Sequence, residues 1–278
     1  MPSVINTNTS AQFAQDALQI NSKTMSTAMQ QLATGNRINQ AKDDSAGLSI
    51  GQNMTSQIRG LNQAVRNVND GINLLQTADG ALVETSNMLQ RMRELAVQSS
   101  NATNSASQRV YLNNEFKSLQ VEITRIADNT TWNNAKVVGD SPAATSALTL
   151  TFQAGILSGQ TIGVTLSAMD ATGLAVNTES LTTFGASQSA ISTIDKAIEI
   201  VNNGRSAMGA TMNQLSYSAD NMVNISTNIA ASRSTIMDTD YATASAQLAK
   251  TQIISQAATA MLTQANQQPQ SVLALLKG

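Results

Sequence analysis

The chain has no histidine and no cysteine among its 278 residues. Aromatic residues make up 3%, charged residues 12%, and there are only 3 prolines. Each shortage excludes something. Without histidine and cysteine, the usual zinc, iron–sulfur and haem ligand sets cannot be built, and neither disulfides nor thiol chemistry are available. No cofactor or metal is expected. The missing cysteine does not by itself fix a redox compartment. It suits a chain that crosses into an oxidising exterior, where stray cross-links would do harm. A net charge of −2 gives no strong steering toward nucleic acid or a membrane surface. No apolar run approaches the ~18 residues that read as a bilayer span, so no membrane insertion is expected. The opening "MPSVINTNTSAQF" has neither a basic n-region nor an apolar h-region, which predicts export, if any, without a cleaved hydrophobic signal.

The shortage of aromatics implies a thin core, because Phe, Tyr and Trp carry much of the buried area of a globular domain. The shortage of proline permits long uninterrupted helices. Ser, Thr, Asn, Gln and Ala fill the chain instead, which suggests elongated Ala- and Leu-rich helices that pack on neighbours.

One stretch invites an enzymatic reading. "GLSIG", Gly47 to Gly51, fits the G-x-S-x-G nucleophile elbow of serine hydrolases, with Asp43 and Asp44 just before it. A serine hydroxyl is a poor nucleophile until a base takes its proton, and histidine usually does this. None is present. Lysine is the base in some enzymes, so this absence argues strongly against an esterase without closing the case alone. The alternative is structural: Asp43, Asp44 or Ser45 caps a helix by accepting bonds from free N–H groups. The chain is read as a non-enzyme.

Helical periodicity dominates both ends. Ala14, Leu18, Met25, Ala28 and Leu32 form a first stripe that ends at Gly35, a fitting C-cap. Ile58, Leu61, Val65, Val68, Ile72 and Leu75 alternate steps of three and four, and Leu82, Leu89 and Met92 continue them as a heptad seam. Gly60, Gly71 and Gly80 interrupt it, each costing about 1 kcal/mol against Ala. After a polar loop at "SSNATNSASQ", Leu112, Phe116, Leu119, Ile123 and Ile126 form a third stripe. From about 136 to 184 the helical period vanishes. "VVGDSP" reads as strand and turn, while "ALTLTFQAG" and "TIGVTLSAM" alternate like half-buried strands around "GILSG". Helix returns at Ile191, Ile194, Ile198 and Val201, then Met208, Met212 and Leu215, with Arg205 on the seam. Met222, Ile225, Ile229 and Ile236 follow. The last stripe is Leu248, Ile254, Ala258, Met261 and Ala265, expected to stop near "NQQPQ".

The fold class that follows is mainly α. Long coiled-coil helices from both chain ends form an elongated bundle, with a small β-hairpin region in the middle. The terminal stripes are the weakest, with Ala, Met, Ser and Thr at many positions. Burying alanines gains little against chain entropy, so these ends are expected to order only when many copies pack together.

The residues then match a family. "VINTN", "LATGNRINQAKDDSAGLSIG", "RGLNQAVRNVNDGINLLQTADGAL" and "LQRMRELAVQSSNATNS" resemble the N-terminal part of bacterial flagellins. "MVNISTNIAASRSTIMDTDYATASAQLAKTQIISQAATAMLTQANQQPQSVLALL" resembles their C-terminal region. The resemblance covers roughly the first 140 and last 90 residues, and only the middle departs. There the chain has room for the β elements of the inner shaft alone, so it looks like a short form lacking the large outer domains.

The resemblance implies a structural subunit that polymerises into the flagellar filament for swimming. Export would run through the flagellar type III apparatus, and the filament lies outside the cell. Residues 1–44 with 239–278 would form a terminal coiled-coil domain lining the filament channel. Residues 45–238 would form the wall, with β-hairpins at about 136–184. Asp43, Asp44 and Ser45 would lie at the joint between these layers. Expected partners are further copies of the chain, the filament cap and hook-junction proteins, and an export chaperone on the C-terminal segment. Position by position, Gln90, Arg91, Leu95 and Gln98, with Glu122 in the next helix, match the motif read by the flagellin-sensing toll-like receptor of animals. The same surface is assigned first to subunit contacts. Met92 stands where a valine is common and faces the seam. The competing readings are a hook–filament junction or other axial flagellar protein, and a secreted coiled-coil adhesin.

Overall fold

The computed structural model describes residues 7–138 and 148–277, with side chains described as far as residue 267. Helix α1 spans Thr9–Thr34. Asn8 caps it, its Oδ1 accepting from Ala11 N at 3.1 Å, and Gly35 ends it at φ 72°, its N–H donating to Gln31 O. A positive φ is cheap for glycine, which explains the sharp stop. Helix α2, Ser45–Ser99, begins after Asp44, whose Oδ1 accepts from Gly47 N at 2.8 Å. Helix α3, Ala106–Asn129, opens on a capping box in which Ser105 and Gln108 satisfy each other's backbone N–H. The long helices α4, Phe184–Met237, and α5, Tyr241–Lys277, complete the chain.

Between α3 and α4 lie two small hairpins. Strands β1, Thr131–Trp132, and β2, Ala135–Lys136, turn through Asn133 and Asn134 at φ 48° and 64°. Two consecutive positive φ values match the twist that a two-residue hairpin needs. Strands β3, Leu148–Gln153, and β4, Thr161–Leu166, pair antiparallel from Leu148↔Leu166 to Gln153↔Thr161. Both strands were legible as alternating segments. In "VVGDSP", Val137 and Val138 are buried, while the remainder lies outside the described residues.

The chain divides into two compact units, residues 59–226 and residues 1–58 with 227–278. In the 59–226 unit the core is mainly apolar. Leu75, Leu82, Leu89 and Met92 of α2, Phe116 and Ile123 of α3, and Ile194, Met208 and Leu215 of α4 are all fully buried. These are the heptad positions read from the sequence. Arg205 sits on the seam as expected, and its Nε donates to Asp79 Oδ1 at 2.7 Å. Of the three glycines that interrupt the heptad stripe, Gly60 and Gly71 are seats. A Cβ at Gly71 would stand 2.7 Å from the Phe152 ring, and one at Gly60 would stand 2.9 Å from Ile156 Cγ2. The β3–β4 hairpin therefore lies on helix α2 where the helix has no side chains. Gly80 has nothing within 4 Å.

Residues 167–183 carry no regular period, yet Met169, Leu174, Val176 and Leu181 are buried. Side chains of the helices satisfy this segment's backbone. Ser99 Oγ donates to Leu181 O at 2.9 Å, Lys117 Nζ to Glu179 O at 2.9 Å, and Leu181 N donates to Asn113 Oδ1 at 2.8 Å. Gln120 Nε2 donates to Val176 O.

One expected boundary fails. The last helix does not stop near "NQQPQ"; α5 runs through Pro269 to Lys277. A proline removes one N–H donor and crowds the carbonyl four residues before it, which disfavours an interior position, yet the helix continues past this one.

Candidate functional site

Among the described residues no group of three or more His, Cys, Asp or Glu could hold a metal ion, and no helix is long and apolar enough to cross a membrane. Ser49 lies inside α2 rather than on a strand-to-helix turn, so "GLSIG" is no elbow. Its glycines do packing work. Gly47 and Gly51 are buried, and a Cβ at Gly51 would meet Met237 Sδ at 2.5 Å. The long helices also present three surface features.

The first surface is the α1–α5 pair. The two helices run antiparallel, with Asn21 Nδ2 donating to Thr251 O at 2.7 Å and Asn8 Nδ2 donating to Ala265 O at 2.8 Å. The α1 side of the seam is Ala11, Ala14, Leu18, Asn21, Met25, Ala28 and Leu32, all buried or half-buried. The α5 side is Ala244, Leu248, Thr251, Ser255, Ala258, Leu262 and Ala265. Both alternate steps of three and four, the coiled-coil period. Small residues let the backbones approach until Cα atoms of the two helices come within 8 Å. Here the sequence reading missed. Ile254 and Met261, read as seam residues, are exposed, and their neighbours Ser255 and Leu262 hold those places. Phe13 is 81% exposed, Ile20 66%, Ile253 67% and Met261 66%. Phe13, Ile20, Ile253 and Met261 thus face away from the seam, while Leu18, Met25, Leu32, Leu248 and Leu262 lie half-buried along it.

The second feature is the joint at residues 35–44 and 238–240. Asn36 bridges to Asp238, Arg37 N donates to Met237 O at 2.7 Å, and Thr239 N to Gly35 O at 2.9 Å. The Arg37 guanidinium donates to Ile236 O at 2.7 Å. The three acidic and hydroxyl residues assigned to the joint do separate jobs. Asp44 caps α2, Ser45 is the first helical residue, and Asp43 Oδ2 accepts from Asn39 N and Gln40 N, closing the turn before the helix. On the other connection Asp240 caps α5. Bonds from the Thr243 hydroxyl and from the backbone N–H groups of Ala242 and Thr243 hold its carboxyl below its usual range.

The third is the charged face of α2 and α3. Gln90, Arg91 and Gln98 are exposed. Arg91 is bracketed by Glu94 at 2.9 Å and Glu115 at 2.8 Å, whose bonds hold its guanidinium pKa above the ordinary value. Glu122 pairs with Arg125 at 2.5 Å, not with Arg91, and that bond lowers its carboxyl pKa. Arg93 reaches across to Asp195 on α4 at 2.6 Å. Leu95 is not on this face: it is 1% exposed and supports the face from beneath, as does Met92. Glu115 and Asp195 went unnoticed in the sequence because only tertiary proximity pairs them with Arg91 and Arg93.

A mainly helical chain whose terminal helices leave Phe13, Ile20, Ile253 and Met261 exposed has the character of an assembly subunit. Comparison with known proteins gives the family. Residues 5–142 match the bacterial flagellin N-terminal helical region, and residues 191–276 match the bacterial flagellin C-terminal helical region. The chain is similar to a flagellin of Halalkalibacterium halodurans, 45% identical over 276 residues that cover 99% of this chain and 100% of the relative. It is also similar to flagellin A of Vibrio cholerae, 34% identical over an alignment of 380 residues covering 98% and 99% of the two chains. The crystal structure of Bacillus cereus flagellin is 30% identical and covers 60% of this chain and 94% of that one, with a TM-score of 0.48. The chain belongs to the bacterial flagellin family. It is a short-form structural subunit of the extracellular flagellar filament and not an enzyme.

Proposed function

We propose that the two ends of this subunit perform the polymerisation and that the layers divide as the sequence suggests. Residues 1–44 with 239–278 line the filament channel, and residues 45–238 form its wall. The observation that carries this reading is the inverted burial of α1 and α5, which keep Phe13, Ile20, Ile253 and Met261 exposed while burying Asn21 and Thr251. An exposed apolar surface of this kind is what a neighbouring copy covers. Removing residues 239–278 should abolish seeded polymerisation and leave the 59–226 unit folded. A truncated chain that still forms filaments would sink the assignment.

The finer partners rest on the same reading. The chain leaves the cell unfolded through the type III apparatus, with an export chaperone on the C-terminal segment, and adds beneath the cap above the hook-junction proteins. Gln90, Arg91, Gln98 and Glu122 present the subunit-contact and receptor-facing surface, with Leu95 holding it in place. Arg often anchors protein interfaces, and Arg91 is fixed in position by two carboxylates. Arg91→Ala with Glu122→Ala should weaken activation of the flagellin-sensing receptor while the melting temperature stays unchanged; unaltered activation would remove these residues from the site.

A further inference from the structure

A seam built mostly of small residues with Leu and Met at intervals is much alike from one heptad to the next, so it does little by itself to choose one register. Sliding α1 along α5 by seven residues again sets small residues and leucines against each other. Asn21 does not remove the ambiguity. It bonds a backbone carbonyl, Thr251 O, and every residue of a helix offers a carbonyl. One carbonyl on α5 is nevertheless unlike the rest. In an α-helix the carbonyl of residue i receives the N–H of residue i+4. The fourth residue after Ala265 is Pro269, and proline has no N–H. Ala265 O is therefore left without its intrahelical donor, inside a helix that continues to Lys277.

The donor comes from the other end of the chain. Asn8 Nδ2 bonds Ala265 O at 2.8 Å, across a separation of 257 residues. The same amide uses its oxygen to cap α1, accepting from Ala11 N at 3.1 Å. Both halves of the Asn8 amide are thus committed. A slip of one heptad would leave the Ala265 carbonyl without a donor and bring Asn8 to a carbonyl that already has one.

We propose that Asn8 and Pro269 form a register pin: the proline creates one orphan carbonyl on α5, and Asn8 reads it to fix where α1 pairs along the seam. Asn8 is a positioning residue for filament assembly, and the inference rests on the assembly role of the terminal helices. In a polymer the pin has a second consequence. Many copies of α1 and α5 come together, and a pairing that satisfies Ala265 is distinguished from all the slipped ones.

The absence of cysteine makes the register measurable. Heptad steps from the Asn21–Thr251 bond set Ala14 across from Ala258 and Ala28 across from Ala244, and both members of the second pair are buried. Full-length filaments carrying Ala14→Cys with Ala258→Cys should form the disulfide under mild oxidation. Those carrying Ala14→Cys with Thr251→Cys, one heptad out, should not. Asn8→Asp keeps the cap, since Asp caps as well as Asn, but loses the amide donor. It should raise the slipped cross-link at least roughly fivefold and lower filament yield, as loss of a register-fixing polar contact does. Pro269→Ala restores the missing N–H and should do the same. In the Pro269→Ala background, Asn8→Asp should add nothing, the non-additivity expected of one shared interaction. An unchanged cross-link pattern in Asn8→Asp filaments, or additive effects of the two substitutions, overturns the pin. If the unsubstituted chain does not polymerise, the assembly reading fails instead, and the two failures are told apart by that control.

Discussion

The 59–226 unit and the unit formed by the chain ends are built from the same kind of helix, yet they bury opposite kinds of side chain. The first closes over Leu75, Leu82, Leu89, Phe116 and Ile194. In the second, the buried residues of α1 are Asn21 and Ala28, and those of α5 with described side chains are Ala244 and Thr251. A fully buried Leu or Phe contributes about 1.5–3 kcal/mol relative to exposure, and an alanine much less. The first unit therefore has a core of its own. The second has a seam, a joint and a set of large apolar groups facing outward. The same heptad period can specify a finished domain or half of an interface, and side-chain size at the seam separates the two.

The contrast can be broken or sharpened by experiment. The largest effect is expected in the apolar core. Leu89→Ala should cost about 2–5 kcal/mol of monomer stability by chemical denaturation, whereas Ala28→Gly should leave the main unfolding transition in place. Equal losses would mean that the ends share the core's cooperativity. Next, amide exchange in the monomer should be on the order of a hundredfold faster in α1 and α5 than in α2 around Leu82 and Leu89. Comparable protection would show that the terminal pair stands alone.

Smaller effects test the packing against α2. Gly71→Ala pushes a methyl against the Phe152 ring and should destabilise by about 1–3 kcal/mol as overpacking. Gly80→Ala meets nothing and should stabilise by up to about 1 kcal/mol through helix propensity. The same substitution nine residues along one helix thus carries opposite signs, and thermal melts of the two variants decide it. The smallest effect is electrostatic. The Asp240 carboxyl is held below its usual range, so its cap on α5 is at full strength above about pH 4, near the unperturbed carboxylate value, and is lost as pH falls through the lowered one. Asp240→Asn should flatten the acid end of the α5 helicity profile followed by circular dichroism. An unaltered profile would remove Asp240 from the account.

Much of the fold was legible. Long apolar periods in α2, α3 and α4 mark their buried faces because the residues carrying them, such as Leu82 and Met208, have no better place to go. The β3–β4 hairpin showed in its alternation, and Gly35 showed as a helix stop. Three features were not legible. Residues 167–183 bury Leu174 and Val176 without any period, because helix side chains such as Ser99 and Lys117 satisfy their backbone. The end of α5 was misplaced, since a proline reads as a breaker when the donor that compensates for it lies at the opposite terminus. The face of α5 was also misread, because pattern reading assumes that the largest apolar residues, here Ile254 and Met261, are the ones a chain buries.

By itself the sequence determined what the protein is not and what it is made of. Without histidine or cysteine it cannot build the usual zinc, iron–sulfur or haem ligand sets and has no thiol chemistry, and its periodicity makes it helical at both ends. Its long motifs place it among the flagellins. The tertiary structure alone decided which face of each terminal helix is buried, which carboxylate meets Arg91, Arg93 and Arg205, which glycines are seats, and where Asn8 finds its acceptor. The reason is physical: propensity and period are properties of neighbours along the chain, whereas burial and hydrogen-bond completion belong to groups that folding brings together from distant parts of it.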